Sequence, residues 1–425
     1  MKVDLNSLKN KLLASSLFKD SFWSLTGNIF GKGFSLVAGI VVARLLGSTA
    51  YGEYGIIKNT LLTIAMFSSF GLGITATKFI AETKEKNPSD LYAFLFVCNL
   101  VALFVSASIS VLVVVFAPQI ALYLEAPRLS TAIRWTAIAI VFNALNTTQI
   151  GILGGFKAYK ATAHNNVWAG LVTFIITIPL TFWRGFNGAI VALVISLGFN
   201  CLINRISINK RTPKEKAFVT KAQVKEIVSF SFPVALQESL YALTNWLVSF
   251  VIIKSAGYAE LGLCTAATQW MAVMSFIPGA LRNVALSYLS TSKDNKDDSR
   301  SILNRLLAVN FVSTMFPCIC VWLLSSVICG MYGPDYIGLR RVLNVMVFTA
   351  VVTSLTNIIT QDLISRNQNW FLFSSRLIRD LGIVSLSYWV MNQYSLGAFA
   401  YACISLVFQV LYLFLISSRR KRVEV

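Results

Sequence analysis

The sequence predicts an all-helical integral membrane protein with about twelve transmembrane helices, arranged as two pseudo-symmetric bundles of six. Three observations carry that prediction. The 425 residues are 56% hydrophobic and only 13% charged, with a mean hydropathy of +0.67. A soluble domain carries about 25% charged residues, so this chain has too little charge to cover a water-facing surface. Apolar runs recur along it, each long enough (roughly 20 residues) to cross a bilayer core as a helix. Finally, one turn is written twice. Laid over one another, "ARLLGSTAYGEYG" (43–55) and "IIKSAGYAELG" (252–262) set Ser48 on Ser255, Tyr51 on Tyr258, Glu53 on Glu260 and Gly55 on Gly262, 207 positions apart.

The apolar runs lie near 22–43, 54–76, 91–116, 130–153, 165–183, 187–204, 228–253, 260–282, 305–328, 341–362, 374–391 and 395–416. They are too long for strands and show no sustained alternation of apolar and polar residues. Lysine and arginine sort by loop. With residues near a span end counted in the adjoining loop, the N-terminal arm, the even-numbered loops and the C-terminal tail hold 27 of the 37, the other loops hold seven, and Lys32, Lys58 and Arg282 lie inside spans. The positive-inside rule then places both termini in the cytoplasm, as an even span count also requires. The basic arm with the first apolar run is read as an uncleaved span, because it is too long for a signal peptide.

The longest polar stretch, "NRISINKRTPKEKAFVTKAQVKE", falls at the middle of the chain. It divides the sequence into a first bundle (1–206), a cytoplasmic linker (207–226) and a second bundle (227–425). Six spans and a linker account for a repeat of just over 200 residues. Because six is even, both halves enter the membrane in the same direction, which makes a parallel repeat. Two such bundles facing each other are expected to enclose a central cleft that opens to either side in turn.

The N-terminal stretch "GNIFGKGFSLVAGIVVARLLGSTAYGEYG" resembles the opening of Wzx-type polysaccharide flippases of the MOP superfamily, which also holds the MATE drug exporters and MurJ-type lipid flippases. Ala43 to Gly47 and Tyr51 to Gly55 carry the likeness, and the span count, linker and orientation extend it over the whole chain. The resemblance implies a MATE-like transporter of the bacterial inner membrane. It would move an undecaprenyl-diphosphate-linked oligosaccharide, such as an O-antigen or exopolysaccharide unit, to the outer leaflet by alternating access. Polymerase and chain-length proteins of the same pathway are the partners it implies. MurJ-type proteins carry two further spans at the C-terminus, whereas this chain ends at a basic tail.

Charges within spans point to function, since each costs about 2.5 to 3.5 kcal/mol at a helix centre on insertion scales. Lys32, Lys58 and Glu238 are such residues. Asn28, Lys32 and Ser35 form one polar stripe, and Glu238, Tyr241 and Asn245 another. At an offset of 207, Glu238 falls on Gly31, beside Lys32. Lys32 and Lys58, with Arg44 at the outer mouth, are expected to attract a diphosphate or acidic sugar. Asn143 and Arg282 complete the expected cavity, and Glu238 is the candidate for coupling to H+ or Na+. Asn146, Thr147, Gln149, Asn357, Gln361 and Asp362 suit either sugar hydroxyls or interhelical packing. Pro278 and Gly279 are the expected hinge, with Pro179, Pro233 and Pro317 as further bend points. "GNIFGKG" lacks the glycine spacing of a phosphate loop. Gly27 and Gly31 instead suit a close helix crossing.

No cofactor, metal or disulfide is expected. The seven cysteines lie in apolar runs and Cys318-x-Cys320 lacks zinc spacing. His164 reads as a solvated histidine. The net charge of +19 is dispersed between spans and does not form the single basic face that nucleic acid requires. A cation-coupled drug exporter is the alternative in the same fold, but acidic rather than basic cavity residues would suit it. A membrane polysaccharide polymerase or glycosyltransferase is the alternative of another class. The short outward loops, whose acids are Glu53, Glu125, Glu260 and Asp335, count against an enzyme. A non-transporting scaffold would need no charges at helix centres.

Overall fold

The computed structural model describes residues 16–69, 71–86, 90–212, 221–275, 278, 296–366, 368–394 and 396–424. Among them are eleven α-helices and no strand: α1 (Ser16–Ser69), α2 (Leu72–Lys86), α3 (Leu91–Tyr123), α4 (Ser130–Gly155), α5 (Tyr159–Asn209), α6 (Lys221–Met274), α7 (Lys296–Leu323), α8 (Ser325–Tyr332), α9 (Leu339–Ser365), α10 (Asn369–Gln393) and α11 (Gly397–Glu424). Eight of the described helices are long and apolar enough to cross a membrane. Three of those, α1, α5 and α6, each bend between two of the expected spans; of these, the span 54–76 is broken after Ser69, its end lying in α2, and the span 260–282 extends beyond Met274 into residues mostly outside those described. The expected span 374–391 lies in α10, which carries Arg376, Arg379 and Asp380 and is not among the eight. The all-helical membrane architecture is therefore as expected.

The bends sit at Gly47 (φ 74°), Gly185 (φ 54°) and Gly257 (φ 85°). An L side chain pays steric strain in that left-handed region, and glycine does not. The backbone breaks in these helices thus fall at glycines. Pro179 and Pro317 lie within helical segments of α5 and α7.

The bends also correct the offset of the repeat. Gly257 follows Gly47 by 210 positions, not 207. The same offset carries Ser130–Gly155 onto 340–365, against Leu339–Ser365 observed, and the start of α5 at Tyr159 onto the start of α10 at Asn369. Three residues are close to one helical turn of 3.6, so a slip of three leaves the same face inward. Identical letters therefore lined up at 207 while the backbones correspond at 210.

By contacts the chain separates into two compact units. One holds residues 1–38 and 57–243, the other residues 39–56 and 244–425. In the first, α4 is the central helix, packed on α2, α3 and α5, and in the second α9 packs on α7 and α11. These two central helices are the pair that the 210 offset equates. An apolar cluster of the first unit joins Leu72, Phe79 and Ile80 of α2 to Phe94 and Leu95 of α3 and to Ile152 and Leu153 of α4. The second unit's cluster joins Ile359 and Leu363 of α9 to Leu372 of α10 and to Tyr412 and Ile416 of α11.

Close crossings use small residues, because inside a bilayer helices associate by packing and hydrogen bonding and not by escaping water. A methyl group on Gly27 would strike Ala163, and one on Gly31 would strike the Asn166 carbonyl. Gly170 in turn faces the Gly31 backbone. The expected close packing at Gly27 and Gly31 is what the structure shows, with "GNIFGKG" inside helix α1. Thr77 ties α2 to α4 by donating to the Gly151 carbonyl at 3.0 Å. Thr75 meets Ser231 of α6 at 2.8 Å.

Candidate functional site

The candidates divide between the two units. Asn28, Lys32, Lys58, Asn143, Glu238 and Tyr241 belong to the first, and Arg44, Asn245, Pro278, Gly279 and Arg282 to the second. Gly279 and Arg282 lie outside the described residues, as do the side chains of Asn28, Glu238 and Tyr241. Pro278 is buried.

Lys32 is exposed on α1. It follows Gly31, and successive helical residues point about 100° apart. The lysine is thereby turned away from the glycine face that packs on α5. Ser35 donates back to the Gly31 carbonyl at 3.0 Å. Lys58 is half-buried, with no hydrogen bond or ion pair among the described residues. Asn143 and Asn245 are half-buried, and the carbonyl of Asn245 accepts from Ser249 at 3.1 Å. Arg44 is exposed, with its stem beside Gly333.

The 210 offset changes which stripe residues correspond. Glu238 is equivalent to Asn28, Asn245 to Ser35, and Lys32 to Ala242. The two polar stripes therefore share their first and last positions, while Lys32 meets Ala242 and Tyr241 meets Gly31. Glu238 stands one helical turn before the equivalent of Lys32, where the offset of 207 had set it alongside.

The bends of α1 and α6, both in the second unit, explain why the turn is written twice. A methyl on Gly52 would land on the Tyr258 carbonyl oxygen, and a methyl on Gly262 would land on that of Ser48. Shifting the first pair by 210 yields the second, so the two contacts are reciprocal. Gly55 faces Thr265, its own equivalent. The two copies of the turn thus pack on each other about a local two-fold relation, backbone against backbone. Around this crossing, Tyr336 donates to the Ala43 carbonyl at 2.9 Å and Trp270 donates to the Tyr332 hydroxyl at 3.0 Å. Gln269 donates to the Tyr51 hydroxyl. Burial pushes the Tyr332 and Tyr336 phenols up, so both stay protonated in any physiological solution. Glu260 serves as a cap, its Oε2 accepting from the Ala398 amide at 2.7 Å at the start of α11.

Several polar residues proposed for either sugar or packing are engaged in packing. In the first unit Asn204 donates to Asn146 at 3.3 Å, Asn165 donates to Asn204 at 2.8 Å, and Ser207 donates to Asn165 at 3.1 Å. Gln149 donates to Cys201 Sγ at 3.5 Å. Asn146, Gln149, Asn165 and Asn204 are all buried. In the second unit Asp362, fully buried, accepts from Arg366 at 3.3 Å and from Arg420 at 3.1 Å. Arg379 donates to Asp380 at 2.6 Å and to Gln409 at 3.1 Å, and Gln409 donates to Thr356 at 3.3 Å. Sequence reasoning missed this second network because nothing local brings Arg379 and Asp380 of α10 to Gln409 of α11 and Thr356 of α9. Thr356 is the 210-offset equivalent of Asn146, so the same crossing is polar in both halves. His164 is exposed near the start of α5 and accepts from Trp168 at 3.0 Å.

The comparisons with known proteins agree on a class. The fold matches that of a multidrug resistance MATE family transporter of the MOP superfamily in its inward-facing conformation (TM-score 0.77, 14% identity, 92% of this chain and 94% of that one). It also matches lipid II flippase MurJ in an inward closed conformation (TM-score 0.75, 15% identity, 93% and 86%). This is therefore a multi-pass membrane protein with the MOP transporter fold. Within that class, the chain belongs to the family described as "Polysaccharide biosynthesis protein", whose model matches residues 41–315. The EPS I polysaccharide export inner membrane protein EpsE of Ralstonia nicotianae is 21% identical over 384 residues, 88% of this chain and 86% of that one. An uncharacterized membrane protein of Methanocaldococcus jannaschii, MJ1375, is 23% identical over 259 residues, 57% and 60%. The resemblance read from Ala43 to Gly47 and Tyr51 to Gly55 is borne out, and the relatives with a named role are an export protein, a drug transporter and a flippase, not enzymes.

Proposed function

We propose that this protein flips a lipid-linked oligosaccharide across the inner membrane for polysaccharide export, and that Lys32 and Lys58 draw in its diphosphate. The family match carries the reading. It is supported by the export protein EpsE over most of both chains and, at the level of fold, by a lipid II flippase. The chemistry agrees. An undecaprenyl diphosphate brings two or more negative charges to the membrane, and a lysine in each of the first two spans supplies compact cations with three donors each. Both termini are taken as cytoplasmic, from the loop distribution of lysine and arginine. Transport proceeds by alternating access of the two repeats, and Glu238 is the carboxylate that couples it to H+ or Na+.

The test is complementation. A strain lacking the gene should lose its surface polysaccharide, and the wild-type chain should restore it. Lys32→Ala at normal membrane abundance should restore less than about a tenth as much, the equivalent of losing one charge-assisted contact of roughly 1.4 kcal/mol. Lys32→Arg should restore most of it. Full export with Lys32→Ala would remove Lys32 from the mechanism.

A further inference from the structure

The stretch of α6 just before its bend carries a feature that the polar stripes leave unused. Trp246 and Phe250, one turn apart, stack with ring centroids 5.6 Å apart and planes 6° from parallel. Lys254, one turn further, holds its Nζ 5.6 Å from the Phe250 centroid. Both rings are half-buried and the lysine is exposed. At 1.5 Å per residue the three span about 12 Å of helix axis.

The 210 offset shows which part of this strip is common to both repeats. Lys254 corresponds to Arg44, so each repeat sets an exposed base three residues before its bend glycine. Trp246 and Phe250 correspond to Leu36 and Ile40, so the rings belong to the second repeat alone. The base is a feature of the architecture, and the aromatic pair has been added to it on one side.

We propose that Trp246, Phe250 and Lys254 form a glycosyl-phosphate subsite. The indole takes the apolar C–H face of a pyranose, Phe250 fixes the indole plane, and Lys254 takes the phosphate ester beside the sugar. Aromatic faces attract the slightly positive C–H edges of a sugar much as they attract a cation. A lysine ammonium offers three donors to phosphate oxygens. Trp246 and Lys254 are two helical turns apart, but the Lys254 Nζ reaches back to 5.6 Å from the Phe250 centroid, which is itself 5.6 Å from the indole, so the ammonium stands over the neighbouring ring, where the anomeric oxygen and phosphate of a pyranose on Trp246 would lie. The subsite rests on the reading of the chain as a carrier of lipid-linked glycan, and it names which part of that substrate the second repeat holds. A ring pair and lysine near a span end also suit anchoring at the lipid interface, so the experiment has to separate sugar from lipid.

The measurement is the fluorescence of Trp246, taken as the difference between the full-length wild-type chain and Trp246→Phe in nanodiscs. Glucose 1-phosphate should quench this component saturably, and glucose or inorganic phosphate alone should bind at least about tenfold more weakly. Lys254→Ala should raise the Kd for glucose 1-phosphate about tenfold, as expected for losing one cation–phosphate contact, and Lys254→Arg should leave it nearly unchanged. Lipids brominated on their acyl chains should leave Trp246 unquenched. Quenching by brominated lipid, absence of quenching by glucose 1-phosphate, or equal binding by Lys254→Ala would each overturn the subsite. Those outcomes leave the export reading standing if the gene is still required for surface polysaccharide. Loss of that requirement would overturn the export reading itself.

Discussion

Asp362 shows how a membrane span tolerates charge. It has no exposed surface and accepts from both Arg366 and Arg420, the latter also buried. Removing one partner of such a group leaves the others uncompensated, which costs about 3 to 5 kcal/mol in buried pairs. Asp362→Ala should therefore lower the thermal midpoint of the purified protein by several degrees, while Arg305→Ala, at an exposed arginine of α7, should not. A midpoint unchanged by Asp362→Ala would mean that water reaches the site. Lys32 is the opposite case, an exposed cation on a spanning helix whose removal should affect transport and leave folding intact. The sequence singled out Lys32 as a charge within a span and left Asp362 between sugar binding and packing. Asp362 and Arg420 are 58 positions apart, and nothing local announces that α9 and α11 bring them together. Asn165 and Asn204 are a similar case. Their side chains look like loop or cavity residues until the packing of α4 and α5 closes around them.

Glycines that look alike in the sequence do different work in different helices. Gly52 and Gly262 sit where a methyl group would strike a backbone carbonyl, which cannot move aside as a side chain can. Gly330, in α8, has open space around it and a helical backbone. Gly52→Ala and Gly262→Ala should each cut membrane abundance and the thermal midpoint. Gly330→Ala should be neutral or stabilising by about 0.4 to 1 kcal/mol, since alanine restricts the unfolded chain. Equal effects at the three sites would contradict the backbone crossing. Gly257→Ala tests a different cost, about 1 to 2 kcal/mol for a side chain in the left-handed region, and should lower the midpoint without any clash. The spans were legible because a bilayer demands long apolar runs. The positions of the bends were not, since glycine also serves in packing faces and turns. The offset of the repeat was misread for a helical reason, because a shift of three residues preserves the face that periodicity reports.

At the scale of the whole molecule, one architecture has been used twice and then altered. α4 and α9 occupy the centres of the two units at equivalent positions. The crossing at Asn146 in the first half is the crossing at Thr356 in the second, where it is continued by Arg379 and Asp380. Exposed bases at Arg44 and Lys254 recur in both halves, whereas Lys32 and Glu238 have no ionisable counterpart across the repeat. Such an asymmetric distribution suits a carrier for one elongated ligand with a charged end and a neutral end. Membrane class, helical fold and family were all readable from composition, span count and the stretch from Ala43 to Gly55. The choice of cargo within the fold rests on the family match and on the sign of the charges in the first two spans.

The most direct test of the account is the leaflet distribution of polyprenyl-diphosphate-linked glycan in a strain depleted of this protein. Lipid-linked units are measured by labelling from outside and again after permeabilisation. The account predicts that units accumulate in the inner leaflet and that surface polysaccharide disappears together with the outer pool. An unchanged outer pool in depleted cells, with only drug accumulation altered, would contradict it.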